Sequence, residues 1–193
     1  MSRPVETPEQ RRISVEEYHR MAEAGILHPD ERVELLWGVV CRMSPKNRAN
    51  VIAANRIFDL FRGKLEGRAR VYKEDPLRVE RLDCEPEPDV MVCANPDIEA
   101  FGTEGMRPLL VVEVAESSLP RDLGEKAVLY ARAMVPEYWV VSLIDRLLEV
   151  FRDPRDGRYH ERLSLGASSR VSPRGWPEME LEVSALFPNE VTS

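Results

Sequence analysis

The stretch LLVVEVAESS, residues 109–118, decides the fold. Residues 109–115 read as a strand that is apolar on both faces, the pattern of a strand in the middle of a sheet covered on both sides. Glu113 interrupts that run. An unpaired neutral polar group costs roughly 2 to 7 kcal/mol when buried, and an ionised carboxylate costs more. A strand with Glu113 near its C-terminal end therefore calls for something that compensates the carboxylate.

Working outward from this strand, residues 121–134 carry Leu123, Ala127, Tyr130, Ala131 and Met134 on one helical stripe, and EYWVVSLI, LLEVFR and RYHERLSL return to strand character. On the other side, PDVMVCA and ARVYKEDPLRVER read as strands, and residues 50–66 place Val51, Ala54, Ile57, Phe58 and Phe61 at helical spacing before Gly67. RVELLWGVVCRMS suggests two strand pieces turning near Gly38, and Ser14 with Glu17 has capping-box spacing for a short helix stopped by Gly25. The expected fold class is α/β (α+β): a mixed sheet fed by helices, with an N-terminal helix and hairpin and a β-rich C-terminal third. Residues 1–12 carry two prolines and no apolar period, so a mobile tail is expected there, followed by a single domain over 13–193.

Composition narrows the function classes. With 193 residues, 43% hydrophobic and 32% charged, the chain suits one globular domain. Its longest apolar runs fall short of the roughly 18 residues that span a bilayer, and the N-terminus has no apolar signal core, so a cytoplasmic protein without a membrane partner is expected. Cys41, Cys84 and Cys93 are odd in number, and His19, His28 and His160 are scattered, which argues against zinc and a disulfide framework. A net charge of -7 and a pI near 5.2 argue against a broad basic face for nucleic acid, although they say nothing of a single cleft. Only Lys46, Lys64, Lys73 and Lys126 of the 27 basic residues are lysines, so a lysine is mildly informative here.

Four residues could carry chemistry. Asp89 follows two prolines in EPEPDVMV and stands at the mouth of an apolar strand; the plain alternative is a turn aspartate. If the strands of Asp89 and Glu113 are neighbours, two carboxylates converge and need a cation or a shared proton, which a hard ion such as Mg²⁺ supplies. Lys126 sits at the edge of the helical stripe, where its stem can reach the same end of the sheet; by spacing alone a solvated i, i+4 pair with Asp122 is the commoner arrangement. Glu34 in DERVELLWG is a third carboxylate at the edge of an apolar stretch, and by spacing alone an ordinary strand-end charge. Together these groups would suit metal-assisted phosphodiester hydrolysis.

The segments ISVEEYHRMAEAGILHPDERVELLWGVV (13–40), EPEPDVMV (85–92) and LLVVEVAESSLPRDLGEKAVLYARAMVPEYWVVSL (109–143) resemble the Uma-two family of restriction-endonuclease-like proteins, within the PD-(D/E)XK nuclease superfamily. The likeness runs from residue 13 to about 152, with weaker support at ALFP, residues 185–188. It implies a restriction-endonuclease-like core, DNA as substrate, Mg²⁺ or Mn²⁺ as cofactor, and Asp89, Glu113 and the Val114 carbonyl as metal ligands. It further implies Lys126 as the cation for the transition state or the attacking water, and Glu34 as an auxiliary ligand. A homodimer is compatible with this reading, as is a nuclease fold that binds nucleic acid or regulates without cleaving. The chain departs from the pattern at Ala115, where the superfamily carries its lysine, at Asn50, where family members tend to carry His, and at Met134, where Gly is usual.

Overall fold

The computed structural model describes residues 10–94 and 106–189. Its centre is a six-stranded sheet in the order β3-β4-β5-β6-β7-β8, in which β5 (Pro108–Ala115) and β6 (Glu137–Ser142) run parallel and all other neighbours run antiparallel. The remaining strands are β3 (Arg70–Tyr72), β4 (Val90–Cys93), β7 (Leu147–Arg155) and β8 (Arg158–Gly166). β5 lies inside the sheet, as its two-sided apolar run requires. Alternation splits its side chains between two cores. Leu110, Val112 and Val114 pack with Ala54, Ile57 and Phe61 of helix α2 (Arg48–Lys64), whereas Val111 and Ala115 pack with Leu129 and Tyr130 of helix α4 (Ala127–Arg132).

Ahead of the sheet, α1 (Val15–Glu23) begins on the Ser14–Glu17 capping box, and β1 (Val33–Leu36) pairs with β2 (Val39–Arg42) in a hairpin. Trp37 and Gly38 turn it with φ of 54° and 73°, the two left-handed residues a type I′ turn needs. A short pair, β9 (Arg170–Val171) and β10 (Leu181–Glu182), adds to the β-rich C-terminal third. Of the tail expected over 1–12, residues 1–9 lie outside the described residues; Arg11 pairs with Glu17, and Arg12 donates to the Trp37 carbonyl.

Two local expectations need correction. Of ARVYKEDPLRVER only Arg70–Tyr72 joins the sheet, because Glu74 turns the chain at φ 57° and Pro76 brings no N–H to a ladder. Leu77 and Val79 then bond back to Pro86 and Cys84 around a 3₁₀ turn, Glu80–Leu82. The single helix expected over 121–134 is three pieces: one turn, α3 (Leu119–Arg121), a π-helical turn (Asp122–Lys126), and α4. α4 ends in a Schellman motif, with Met134 N–H bonded to Ala131 O and Val135 N–H to Tyr130 O, both 3.0 Å. Met134 takes the left-handed position at φ 60°, the conformation that the usual glycine adopts freely.

Candidate active site

The register of β4 on β5 pairs Val90 with Val112, so one step further along each strand Asp89 stands opposite Glu113. Met91 and Cys93 share the α4-facing core with Val111 and Ala115, which puts Asp89 and Glu113 on that same face. Asp89 is fixed by the backbone: its Oδ2 accepts the Val114 N–H at 2.7 Å. Its Oδ1 accepts Lys46 Nζ at 2.5 Å, and the same ammonium reaches Glu74 Oε1 at 2.8 Å.

Glu113 is compensated from the crossover that follows its own strand. Lys126 Nζ donates to Glu113 Oε1 at 2.9 Å and Tyr130 OH donates to the same oxygen at 2.8 Å. Lys126 is only 5% exposed, so the solvated pair with Asp122 is not how this side chain is used. Asp122 is itself buried. The π turn rotates Asp122 out of the phase that a regular helical wheel gives it relative to α4, whereas Lys126 directly precedes α4.

Glu34, buried in β1, meets the same ammonium, with Oε2 3.1 Å from Lys126 Nζ. That contact is not aligned as a hydrogen bond, which leaves Glu34 Oε2 buried and without a hydrogen-bond partner among the described residues. Arg121 NH1 lies 3.9 Å from Glu34 Oε1. The structure thus groups Glu34 with Lys126 and Glu113, and Asp89 with Lys46. Asn50, in the first turn of α2, donates from Nδ2 to the Val114 carbonyl at 3.3 Å. Asn47 caps α2 and also bonds Glu116, just past the end of β5.

Electrostatics follow from this crowding. Burial drives the Glu113 carboxyl up to about 8, outweighing the attraction of Lys126, and Asp122, Asp89 and Glu34 add to the rise. Burial likewise raises Asp122, against Lys126 and a Ser118 hydrogen bond. Lys126 moves the other way from what burial alone would do: Glu113, Glu34 and Asp122 hold it well above the ordinary lysine value. Burial also opposes the charge on Lys46, and the Asp89 carboxylate overcomes it, so its pKa too is raised.

Another buried carboxylate shows what a structural one looks like here. Glu137 is saturated by Trp139 Nε1 at 2.9 Å, Arg152 Nε at 2.8 Å and the Arg174 backbone N–H at 2.6 Å. Asp89, Glu113, Glu34, Lys46, Lys126 and the Val114 residue instead line a cavity of ≈ 320 Å³. Among the described residues this cavity presents six carboxylates against three cations.

Does a hard divalent ion fit this donor set? Two carboxylates and a carbonyl at one strand mouth are oxygen donors of the type Mg²⁺ takes, and that ion needs only one or two carboxylates because it keeps several waters. The surplus of carboxylates over fixed cations also favours an added positive charge. Among the described residues no three His, Cys, Asp or Glu side chains form a ready cage. The residues fit an open, partly hydrated ion with Asp89, Glu113 and the Val114 carbonyl as donors, and Glu34 lines the same cavity with an oxygen that lacks a hydrogen-bond partner among the described residues.

A mixed sheet whose inner strands deliver an aspartate and a glutamate to one cavity, backed by a lysine from the following crossover, is a restriction-endonuclease-like core. The chain belongs to the Uma2 family, whose model, described as "Putative restriction endonuclease", matches residues 15–184. A solved structure described as "a putative nuclease belonging to DUF820" from Anabaena variabilis superposes with a TM-score of 0.72 at 14% identity, covering 91% of this chain and 97% of that one. The type IIG restriction endonuclease BpuSI matches with a TM-score of 0.38 at 15% identity over 62% of this chain and 14% of its own, too slight a likeness to carry weight. No curated protein matches the sequence. Among the described residues no helix is long and apolar enough to cross a membrane.

The sequence alone did not single out Asn50 as a partner of the Val114 carbonyl, nor Tyr130 as a donor to Glu113. Lys46 had one signal, the scarcity of lysine: two of the four lysines in the chain line this cavity.

Proposed function

We propose that this chain is a metal-dependent endonuclease that hydrolyses phosphodiester bonds in DNA, with Asp89, Glu113 and the Val114 carbonyl holding Mg²⁺ or Mn²⁺ and Lys126 as the fixed cation. The observation that carries the reading is the cross-strand placement of Asp89 and Glu113 at one cavity, with Lys126 bonded to Glu113. A pure nucleic-acid binder gains nothing from concentrating carboxylates where phosphates must come. When bound, the ion would polarise the phosphoryl oxygen and acidify a water at neutral pH. Lys126 offsets charge that builds on the phosphoryl oxygens, and its burial keeps it aimed without reorganisation. Tyr130 and Lys126 orient Glu113, Val114 N–H orients Asp89, and Asn50 sets the carbonyl of Val114 from α2.

One observation favours a second reading, a nuclease fold retained for binding nucleic acid or for regulation: Asp89 and Glu113 each already hold an ammonium. A single assay separates the two. Supercoiled and linear DNA are incubated with Mg²⁺, Mn²⁺ or chelator, and the native chain is compared with Glu113→Gln. Metal-dependent cleavage lost in the variant supports the nuclease. Retention of DNA without cleavage under any ion supports the second reading.

A further inference from the structure

We propose that Lys46 is a displaceable latch on the metal position: its ammonium holds the oxygen of Asp89 that is not tied to β5, and a divalent ion binds tightly only when an entering phosphodiester draws Lys46 away. This rests on the nuclease reading and goes beyond it. Asp89 has two oxygens, and Oδ2 is tied to the Val114 N–H inside the sheet. Oδ1 is the oxygen that the strand does not tie, and Lys46 Nζ sits 2.5 Å from it. A Mg²⁺ ion would lie about 2.1 Å from the same oxygen, so ammonium and ion would be like charges crowded on one atom in a poorly solvated cleft, where repulsion is strong.

The two lysines of the site are built differently. Lys126 is locked into a helical crossover between two buried carboxylates. Lys46 comes from the segment between β2 and α2 that has neither strand nor helix, its side chain is 18% exposed, and it lines the cavity. Its departure also strands no partner. Glu74, its second acceptor, has Lys73 Nζ 3.4 Å from the oxygen that Lys46 now uses, and the ion would satisfy Asp89. A DNA phosphate entering the cavity is the anion that offers the freed ammonium a new partner. Metal and DNA binding then become coupled, each tightening the other by the same factor.

The test is calorimetric titration of the full chain with Ca²⁺, which accepts the same oxygen donors, with and without a short duplex oligonucleotide. Lys46→Met is expected to bind Ca²⁺ at least about tenfold more tightly than the native chain, and Lys46→Arg, which keeps the charge, no more tightly than native. The duplex should strengthen Ca²⁺ binding by the native chain and leave Lys46→Met unchanged. Lys46→Gln, shorter and neutral, should repeat the Met result if Met disturbs folding. Equal Ca²⁺ affinity in native, Met and Gln proteins overturns the latch, and if metal-dependent cleavage persists in the native chain the nuclease reading stands without it. Absence of ion binding in all of them, together with absence of cleavage, removes both.

Discussion

Replacing Lys126 by Met keeps the length of the stem and removes the charge, so it tests the centre of the site directly. Lys126 Nζ is 2.9 Å from Glu113 and 3.1 Å from Glu34, and the three side chains are between 3% and 6% exposed. Breaking a buried pair by removing one partner costs about 3 to 5 kcal/mol, because the other charge is left without compensation. The lower end applies, since Tyr130 still donates to Glu113 and burial already pushes that carboxyl up to about 8, which makes protonation easy. At pH 8 we expect a loss of about 3 kcal/mol, equivalent to a drop in melting temperature of about 6 to 12 °C for a chain of this size. At pH 5 the stranded Glu113 carboxyl takes a proton, and the loss should be about half as large. Denaturant titration followed by circular dichroism at both pH values measures this. In parallel, cleavage should fall by about 10² or more. Lys126→Arg should be impaired too, because a planar fork cannot replace a compact ammonium between two carboxylates. A cost under about 1 kcal/mol at both pH values would mean that Lys126 behaves as a solvated surface lysine, and the reasoning would fail.

Three further outcomes follow from the same contacts. Because the folded pKa of Glu113 is raised from 4.5 to about 8, its contribution to stability is full below about 4.5 and lost as pH rises through about 8; Glu113→Gln should flatten that part of the metal-free stability profile, and an unchanged slope would place the proton elsewhere. Tyr130→Phe leaves Glu113 Oε1 without its hydroxyl donor, so it should cost about 1 to 2 kcal/mol and move the rise of cleavage rate with pH upward, read from a pH–rate profile. Met134→Gly removes a left-handed side chain that is 60% exposed, and should raise stability by about 0.5 to 1 kcal/mol with cleavage unchanged, a small rise in thermal midpoint being the readout.

What the sequence alone determined lies in local patterns. Period-two alternation and two-sided apolarity marked β5 and β6, the Ser14–Glu17 box marked α1, and Gly38 marked the hairpin turn, because backbone geometry imposes these periods within a few residues. Glu113 stood out for the same reason: a carboxylate in an apolar run is a local contradiction. Even so, the residues could not by themselves choose between a surface and a buried Lys126, since a position at the edge of the stripe suits both and only its contacts with Glu34 and Glu113 on other elements bury it. Tertiary structure alone decided which residues meet. Lys46 and Asp89 are 43 positions apart, and Asn50 and Val114 are 64 apart. Their contacts depend on the register of β4 on β5 and on where α2 crosses that sheet. Register is fixed by packing summed over many side chains, as in the two cores on either face of β5. Such a sum leaves no mark on the few residues it brings together, so lysine scarcity could hint at Lys46 while only the packed sheet could place its ammonium on Asp89.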